Sequence, residues 1–317
     1  MLSKQFEQII DFLQSNYGLN VKNTEPFLSG VQNSNFLIDS DQGSFVFRIY
    51  NRKTAKELNY TIQVLSRLEN EDLPAPKLIK SNKQALVLRI ESLPCLLYHY
   101  LPGRSVDVIT EKALSQLGLL QGKLHQILRN ERSLASGLDW DLPDLFEIVS
   151  QNKLLLETMF PESLSKINFI INELKRFSFS SDLPKGGTHQ DLKPENVLID
   201  GDGLICGIVD FDNGYYGTLL HDITTTIIWC CFENNNLNLK LLKCFLTNYE
   251  KIRVLSSLEK NNFYKAIKFR FLREAIIWYM YVGHNKERAV KMADYFLGLY
   301  TSFNISEQAL TKALWTS

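Results

Sequence analysis

Two regimes of hydrophobic spacing divide the chain. Up to residue 100 the strand signal dominates. Phe45-Val46-Phe47-Arg48-Ile49-Tyr50 is aromatic and β-branched, the composition of a pleated, half-buried strand. Residues 34–38 precede it, and the turn-like Asp39-Ser40-Asp41-Gln42-Gly43 between them predicts a hairpin. Residues 54–68 then change period, with Leu58, Ile62, Leu65 and Leu68 at the three- and four-residue intervals of one helix face. Pro74 and Pro76 follow that helix, and residues 85–90 and 95–100 predict two more strands. Residues 1–10 open the chain as an amphipathic helix.

Leu101-Pro102-Gly103-Arg104-Ser105 is the sharpest break. Beyond it the spacing is helical over 111–128, over 162–177 with Pro161 placed to start it, and over 217–232, 237–254, 259–282 and 286–303. Strand-like residues 197–200 and 204–210, joined by Gly201-Asp202-Gly203, interrupt the helices. There is no internal repeat, low-complexity tract or long linker. The order predicts an α+β, bilobal chain. A small N-terminal lobe (1–100) holds an antiparallel sheet and one main helix, a hinge (101–105) follows, and a larger, mainly helical lobe (106–317) carries catalytic and substrate-binding loops.

Composition narrows the class. A chain of 317 residues has enough material for a core in each lobe, and 45% hydrophobic with 22% charged residues is ordinary for a globular protein. Lys plus Arg and Asp plus Glu are both 35, which argues against nucleic acid as the partner. The N-terminus lacks the apolar stretch of a secretion signal, and apolar runs such as 275–282 are too short to cross a bilayer, so no membrane partner is expected. Five cysteines, odd in number and without CxxC spacing, predict reduced thiols in a cytoplasmic protein. A monomer or homodimer is expected.

The chemistry concentrates in Gly186-Gly187-Thr188-His189-Gln190-Asp191-Leu192-Lys193-Pro194-Glu195-Asn196-Val197-Leu198-Ile199-Asp200 and, after an apolar run, Asp210-Phe211-Asp212. A carboxylate on a short loop suits acceptance of a proton from a substrate hydroxyl, which assigns Asp191 as general base. Asn196 and Asp210 flank two predicted strands that would bring them to one end of a small ladder near Asp191. They supply hard oxygens for Mg²⁺, which keeps several waters and otherwise takes phosphate oxygens. ATP and Mg²⁺ are therefore the expected cofactors. Lys193 has the charge to neutralise a transferred phosphoryl group, or is a solvated lysine. His189 reads as a buried neutral imidazole that holds the loop in shape, and Asp212 as a second contact at the site or a cap.

His-x-Asp-x-x-x-x-Asn followed by an Asp after an apolar strand resembles the protein-kinase-like superfamily. The wording here, with Leu219-Leu220-His221-Asp222-Ile223 downstream, resembles its aminoglycoside phosphotransferase and choline kinase branch. The resemblance implies a bilobal protein-kinase-like fold. It implies that Leu28-Ser29-Gly30-Val31-Gln32-Asn33-Ser34-Asn35-Phe36 is the first hairpin, so that Ser29, Gly30, Asn33 and Ser34 cover the ATP phosphates. It places Arg48 as the phosphate-contacting cation and Glu57 as that cation's acidic partner. It also makes Tyr98-His99-Tyr100-Leu101-Pro102-Gly103 the hinge whose backbone binds adenine, with the side chains of Tyr98 and Tyr100 either at that site or in the core.

Leu192-Lys193-Pro194-Glu195-Asn196 is shared with eukaryotic protein kinases, but their Gly-x-Gly-x-x-Gly, Asp-Phe-Gly and Ala-Pro-Glu are missing. Between Asp212 and the helix predicted from residue 217 there is no room for an activation loop, so the expected acceptor is a small hydroxyl compound. Glu57 to Leu68, followed by Leu73-Pro74-Ala75-Pro76, is similar in spacing to homoserine kinases of the superfamily. Arg270 or Arg273 would then clamp the amino-acid carboxylate, or both are solvated or pair with Glu274 and its neighbours. An aminoglycoside would call for acidic clusters that are sparse after residue 212. Choline or ethanolamine would call for an aromatic cage, for which Trp229, Trp278, Tyr279 and Tyr281 are the candidates. A pseudokinase-like binding module would have lost Asp191, Asn196 or Asp210, and all three are present.

Overall fold

The computed structural model describes residues 2–27, 33–129, 131, 134, 140–281 and 285–315. The chain runs α1 (Leu2–Tyr17), β1 (Val21–Phe27), β2 (Asn33–Ser40), β3 (Gly43–Tyr50), α2 (Asn59–Leu68), β4 (Leu88–Ile90), β5 (Leu93–His99) and β6 (Arg104–Ser105). Then come α3 (Glu111–Ile127), α4 (Leu142–Gln151), α5 (Lys153–Met159), α6 (Leu164–Leu174) and β7 (Lys185–Gly187). The hairpin β8 (Val197–Ile199) and β9 (Ile205–Ile208) precedes β10 (Tyr216–Thr218) and α7 (Leu219–Cys230). A short pair, β11 (Phe232–Glu233) and β12 (Asn236–Leu237), leads into α8 (Leu239–Glu250), α9 (Ser257–Tyr281), α10 (Lys286–Ser302) and α11 (Glu307–Trp315).

The chain divides into two compact units. The first joins Met1–Ser105 to Val197–Asp212, and the second joins Val106–Asn196 to Asn213–Ser317. The β8–β9 hairpin belongs with the N-terminal segment because β6 pairs with β8, Arg104 opposite Ile199, and because the Ile208 amide donates to the Pro74 carbonyl at 2.7 Å.

In the first unit the sheet order is β1-β2-β3-β5-β4, with antiparallel neighbours throughout. The hairpin predicted around residues 39–43 is β2–β3, tighter than expected, with Ser40 opposite Gly43. Alternation gives each face a task. Phe45, Phe47 and Ile49 join Phe36, Ile38, Cys95 and Leu97 in a core that also contains Ile9 and Leu13 of α1. Arg48 and Tyr50, at the other parity, are left for polar work on the opposite face. Among the described residues the unit holds its main helix, α2, and the expected N-terminal helix, α1. The predicted helix over 54–68 is shorter, because residues 55–58 form turns before α2 begins at Asn59.

The second unit is built around α9. Phe263, Ala266, Ile267, Phe269, Phe271, Leu272, Ala275, Ile276 and Tyr279 are all buried, so this helix is apolar around most of its circumference. It contacts α6, α7, α10 and α11, as an all-round apolar helix in a core must. α3 packs along α8 at close range. A Cβ at Gly118 would lie 2.5 Å from the Phe245 carbonyl oxygen, and one at Gly122 would lie 2.9 Å from Ile252 Cβ. No described helix is long and apolar enough to cross a membrane.

Candidate active site

The loop from Thr188 to Asn196 lies in the second unit. It leaves β7, which pairs with β10, Gly187 opposite Tyr216. Gln190 adopts a left-handed backbone, φ 63°, one residue before Asp191. A non-glycine residue there stores strain that its surroundings must hold, and such strain concentrates at functional loops. Asp191 is partly buried and its carboxylate is gripped from two sides. Asn196 Nδ2 and Asn213 Nδ2 donate to Oδ2 at 3.1 and 3.2 Å. Lys193 Nζ stands 3.1 Å from Oδ1 and 5.5 Å from the centre of the Trp229 ring. Asn196 also gives Nδ2 to the Asp191 carbonyl at 2.7 Å, which turns its Oδ1 away as a hard acceptor.

Beneath this loop lies Asp222, fully buried in the first turn of α7. Its carboxylate accepts the backbone N–H groups of His189, at 3.2 Å, and of Gln190. Gln121 Nε2 and His125 Nε2 reach it from α3 at 3.2 and 2.8 Å. Burial alone would push this carboxyl up, but His125, His189 and the Gln190 amide outweigh it and hold the carboxyl well below the usual range. Asp141 is built the same way. It accepts His221 Nδ1 at 2.7 Å, Thr218 Oγ1 at 2.7 Å and the Thr218 amide at 2.9 Å, and its carboxyl is likewise held low against burial.

The first unit holds a second carboxylate group. Asp210 follows β9 with φ 68°, again left-handed. Arg48 Nη1 donates to Asp210 Oδ1 at 2.9 Å and to Asp212 Oδ2 at 2.6 Å, while its Nε donates to Asn35 Oδ1 at 2.7 Å on the neighbouring strand. Burial would lower the Arg48 pKa, but the two carboxylates raise it well above the ordinary arginine value. Asp212 is the buried member, with a side chain 6% exposed against 35% for Asp210. Its Oδ1 accepts Tyr50 Oη and Thr61 Oγ1, each at 3.1 Å, and its carbonyl accepts Lys53 Nζ. Tyr98 Oη lies 2.7 Å from Tyr50 Oη. Because Tyr50 must donate to a carboxylate, Tyr98 is the donor to Tyr50.

Several predicted residues are placed differently. Glu57 is not the partner of Arg48. Its Oε2 accepts the Thr54 amide and hydroxyl at 2.7 Å, closing a local turn, and those bonds hold its carboxyl below the ordinary value. Arg270 and Arg273 are both buried and share Glu274. Arg270 forks onto Gln190, Nη1 to Oε1 at 2.7 Å and Nη2 to the carbonyl at 2.9 Å, and burial beside Arg273 pushes its pKa down to about 10. Arg273 Nε serves the Trp140 carbonyl. Tyr98 is a core side chain, and the Tyr100 amide donates to the Ser44 carbonyl. Asn33 and Ser34 open β2 opposite Tyr50 and Ile49, while Ser29 and Gly30 lie outside the described residues. The cage candidates have separate neighbours: Trp229 against Phe296, Trp278 under Arg288, and Tyr279 against Phe160. The Tyr281 side chain is outside the described residues. His189 is fully buried, with Nδ1 accepting the Asp191 amide at 3.3 Å, as a loop-holding imidazole should.

Asn213, His125 and Gln121 were not anticipated. Asn213 carries no local signal, since its role depends on a turn returning to Asp191. Gln121 and His125 do carry one. With Leu114 and Leu117 they fall on the buried face of α3, where two polar residues four apart need buried partners.

The chain belongs to the APH phosphotransferase enzyme family, whose profile matches residues 23–255, and is thus a small-molecule kinase. Among curated sequences it is similar to the homoserine kinase of Pseudomonas aeruginosa, 27% identical over 248 residues, covering 77% of this chain and 76% of that one. The homoserine kinase of Methylobacillus flagellatus is 25% identical over 263 residues, 80% of this chain and 78% of that one. Among solved structures, an amicoumacin kinase in complex with AMP-PNP and Ca²⁺ covers 98% of this chain and all of its own, with a TM-score of 0.72 at 14% identity. A spectinomycin phosphotransferase bound to ADP and spectinomycin covers 98% of both chains, with a TM-score of 0.55 at 16% identity. Both structural likenesses establish the kinase-like fold.

Proposed function

We propose that this kinase is a cytoplasmic, ATP- and Mg²⁺-dependent O-phosphotransferase whose acceptor is a small amino alcohol of the homoserine type. The setting of Asp191 carries the reading. A carboxylate held by two side-chain amides and an ammonium is fixed in direction and cannot rotate freely, which is what a proton acceptor for a substrate hydroxyl requires. In this reading the acceptor oxygen bonds to the γ-phosphorus while the bond from that phosphorus to the ADP oxygen breaks, and Asp191 takes the hydroxyl proton. Lys193, already beside Asp191, offsets the charge on the transferred group. Asn196 through Oδ1 and Asp210 through its carboxylate are the proposed protein ligands of the cation, which when bound neutralises charge on the phosphates. Arg48, Asn33 and Ser34 are assigned to the phosphates, and the backbone around Tyr98 and Tyr100 to adenine. Homoserine is placed first because the sequence relatives are homoserine kinases.

A coupled ADP-release screen over homoserine, choline, ethanolamine, methylthioribose and several aminoglycosides tests this. Homoserine should drive release, and Asp191→Asn should reduce it by about 10³-fold. Equal turnover by both proteins would remove Asp191 as the base. Turnover of an aminoglycoside with homoserine inert would replace the acceptor and leave the chemistry standing.

A further inference from the structure

A buried chain of hydrogen bonds runs from the start of α9 to the catalytic loop, wholly inside the second unit. Ser256 and Glu259 form a capping box: Ser256 Oγ accepts the Glu259 amide at 3.2 Å, and Glu259 Oε2 accepts the Ser256 amide at 2.9 Å. The other oxygen of Glu259 accepts Arg253 Nη2 at 2.8 Å. Arg253 Nη1 donates to Tyr249 Oη at 2.9 Å, Tyr249 Oη lies 2.7 Å from His125 Nδ1, and His125 Nε2 lies 2.8 Å from Asp222 Oδ2. Asp222 then accepts the amides of His189 and Gln190, the two residues before Asp191.

The two ends of this chain have fixed directions, a guanidinium that donates and a carboxylate that accepts. A guanidinium can only donate, so the Tyr249 oxygen accepts from Arg253 and its own proton is left for His125 Nδ1. A carboxylate can only accept, so His125 must carry its proton on Nε2. Burial favours the neutral imidazole, and in that form Nε2–H donates to Asp222 while Nδ1 accepts the Tyr249 hydroxyl. None of these groups belongs to the proposed phosphoryl-transfer chemistry.

We propose that Arg253, Tyr249 and His125 are positioning residues that fix the side-chain orientation of Asp222, and through it the backbone that presents Asp191. The glycine-lined contact of α3 with α8 brings His125 and Tyr249 within reach, so the fit of two helices sets the geometry of a loop that neither contains. The kinetic part of this inference rests on the phosphotransferase reading.

A double-mutant cycle tests it. Tyr249→Phe removes the partner of Nδ1 and leaves the imidazole held by its Nε2 bond to Asp222 alone, and His125→Gln replaces the Nε2–H donor with an amide that has no tautomer to select. Tyr249→Phe should lower kcat by about tenfold, within the range seen when outer partners of a functional group are removed. The KM for ATP should stay within about twofold. In the His125→Gln background the same tyrosine substitution should cost little. His125→Phe, which has no donor, should be worse than either. Equal, additive losses from Tyr249→Phe in both backgrounds would overturn the relay, as would a change confined to KM. A readout independent of any acceptor is hydrogen exchange of the His189 and Gln190 amides, with the imidazole tautomer read by ¹⁵N chemical shifts. Faster exchange in His125→Phe, with the Nε2–H form in the wild type, supports the relay even if no acceptor is phosphorylated. Unchanged exchange, or an Nδ1–H imidazole, overturns it even in an active kinase.

Discussion

Asp212 and Asp222 are the buried carboxylates of two different units, and they are satisfied by opposite means. Asp212 is held by a cation. Arg48 divides one nitrogen between it and Asp210, and Tyr50 and Thr61 complete the set. Asp222 is held instead by two backbone amides, a carboxamide and an imidazole. In the first unit the charge of the more exposed Asp210 is therefore compensated inside the protein. In the second, Asp222 keeps its charge and spends it on orienting backbone. A buried carboxylate paired with a cation organises side chains, and one paired with amides organises a loop.

The largest effect should come from changing the Asp222 cluster. Asp222→Asn puts a donor against donors and leaves buried N–H groups unpaired, so it should destabilise by about 3–5 kcal/mol in denaturant unfolding. The same cluster predicts acid sensitivity. Asp222 and Asp141 are held below the ordinary carboxylate range, so the unfolded chain binds their protons more readily. Their contribution is complete above an unfolded pKa of about 3.9 and is lost as the pH falls from there toward their folded values. A midpoint that did not move between pH 5 and pH 3 would remove this account.

Next in size is the cationic cluster. Arg48→Met leaves two carboxylates facing each other and should cost about 2–3 kcal/mol, with the KM for ATP rising roughly tenfold. Arg48→Lys should recover part of the stability but not the three-way contact with Asn35, Asp210 and Asp212. Smaller is Gly118→Ala. The new methyl group meets the Phe245 carbonyl at 2.5 Å. Overpacking costs up to about 3 kcal/mol, and the helix preference of alanine returns about 1 kcal/mol, so a net loss of about 1–2 kcal/mol is expected. Smallest is Glu57→Gln, at under about 0.5 kcal/mol with unchanged turnover, because Glu57 serves only its own turn. A loss of ATP affinity in that variant would restore Glu57 as the partner of Arg48 and redraw the cationic cluster.

What could be read from sequence follows from how locally each feature is specified. The Asp191 loop and the β8–β9 hairpin were legible because residue type and spacing encode them over short range. The hairpin β2–β3 and the helices α3, α7, α8, α9 and α10 were legible from period, with ends misplaced by a few residues where caps and turns intervene. β1 was missed because Val-Lys-Asn-Thr-Glu-Pro-Phe is mostly polar and holds a proline, which only an edge strand tolerates. α4, α5 and α11 were missed for want of a long periodic stretch. Glu57 was misassigned because the choice between it and the two aspartates depends on contacts between segments far apart in sequence. For Arg270 the sequence left a carboxylate clamp and a pair with Glu274 both open, and the structure pairs it with Glu274 and braces Gln190 with it.

The pairing of β6 with β8 has a consequence for how the molecule is made. Residues 1–105 leave the ribosome with their last strand lacking its neighbour, which arrives only after all of 106–196 has been synthesised. The first unit therefore cannot finish before the middle of the chain exists, and the usual N-terminal-first order of assembly does not apply. The long-range closure should show as a slow refolding phase reported by Cys206, whose thiol reaches the Pro102 carbonyl only once the hairpin has docked.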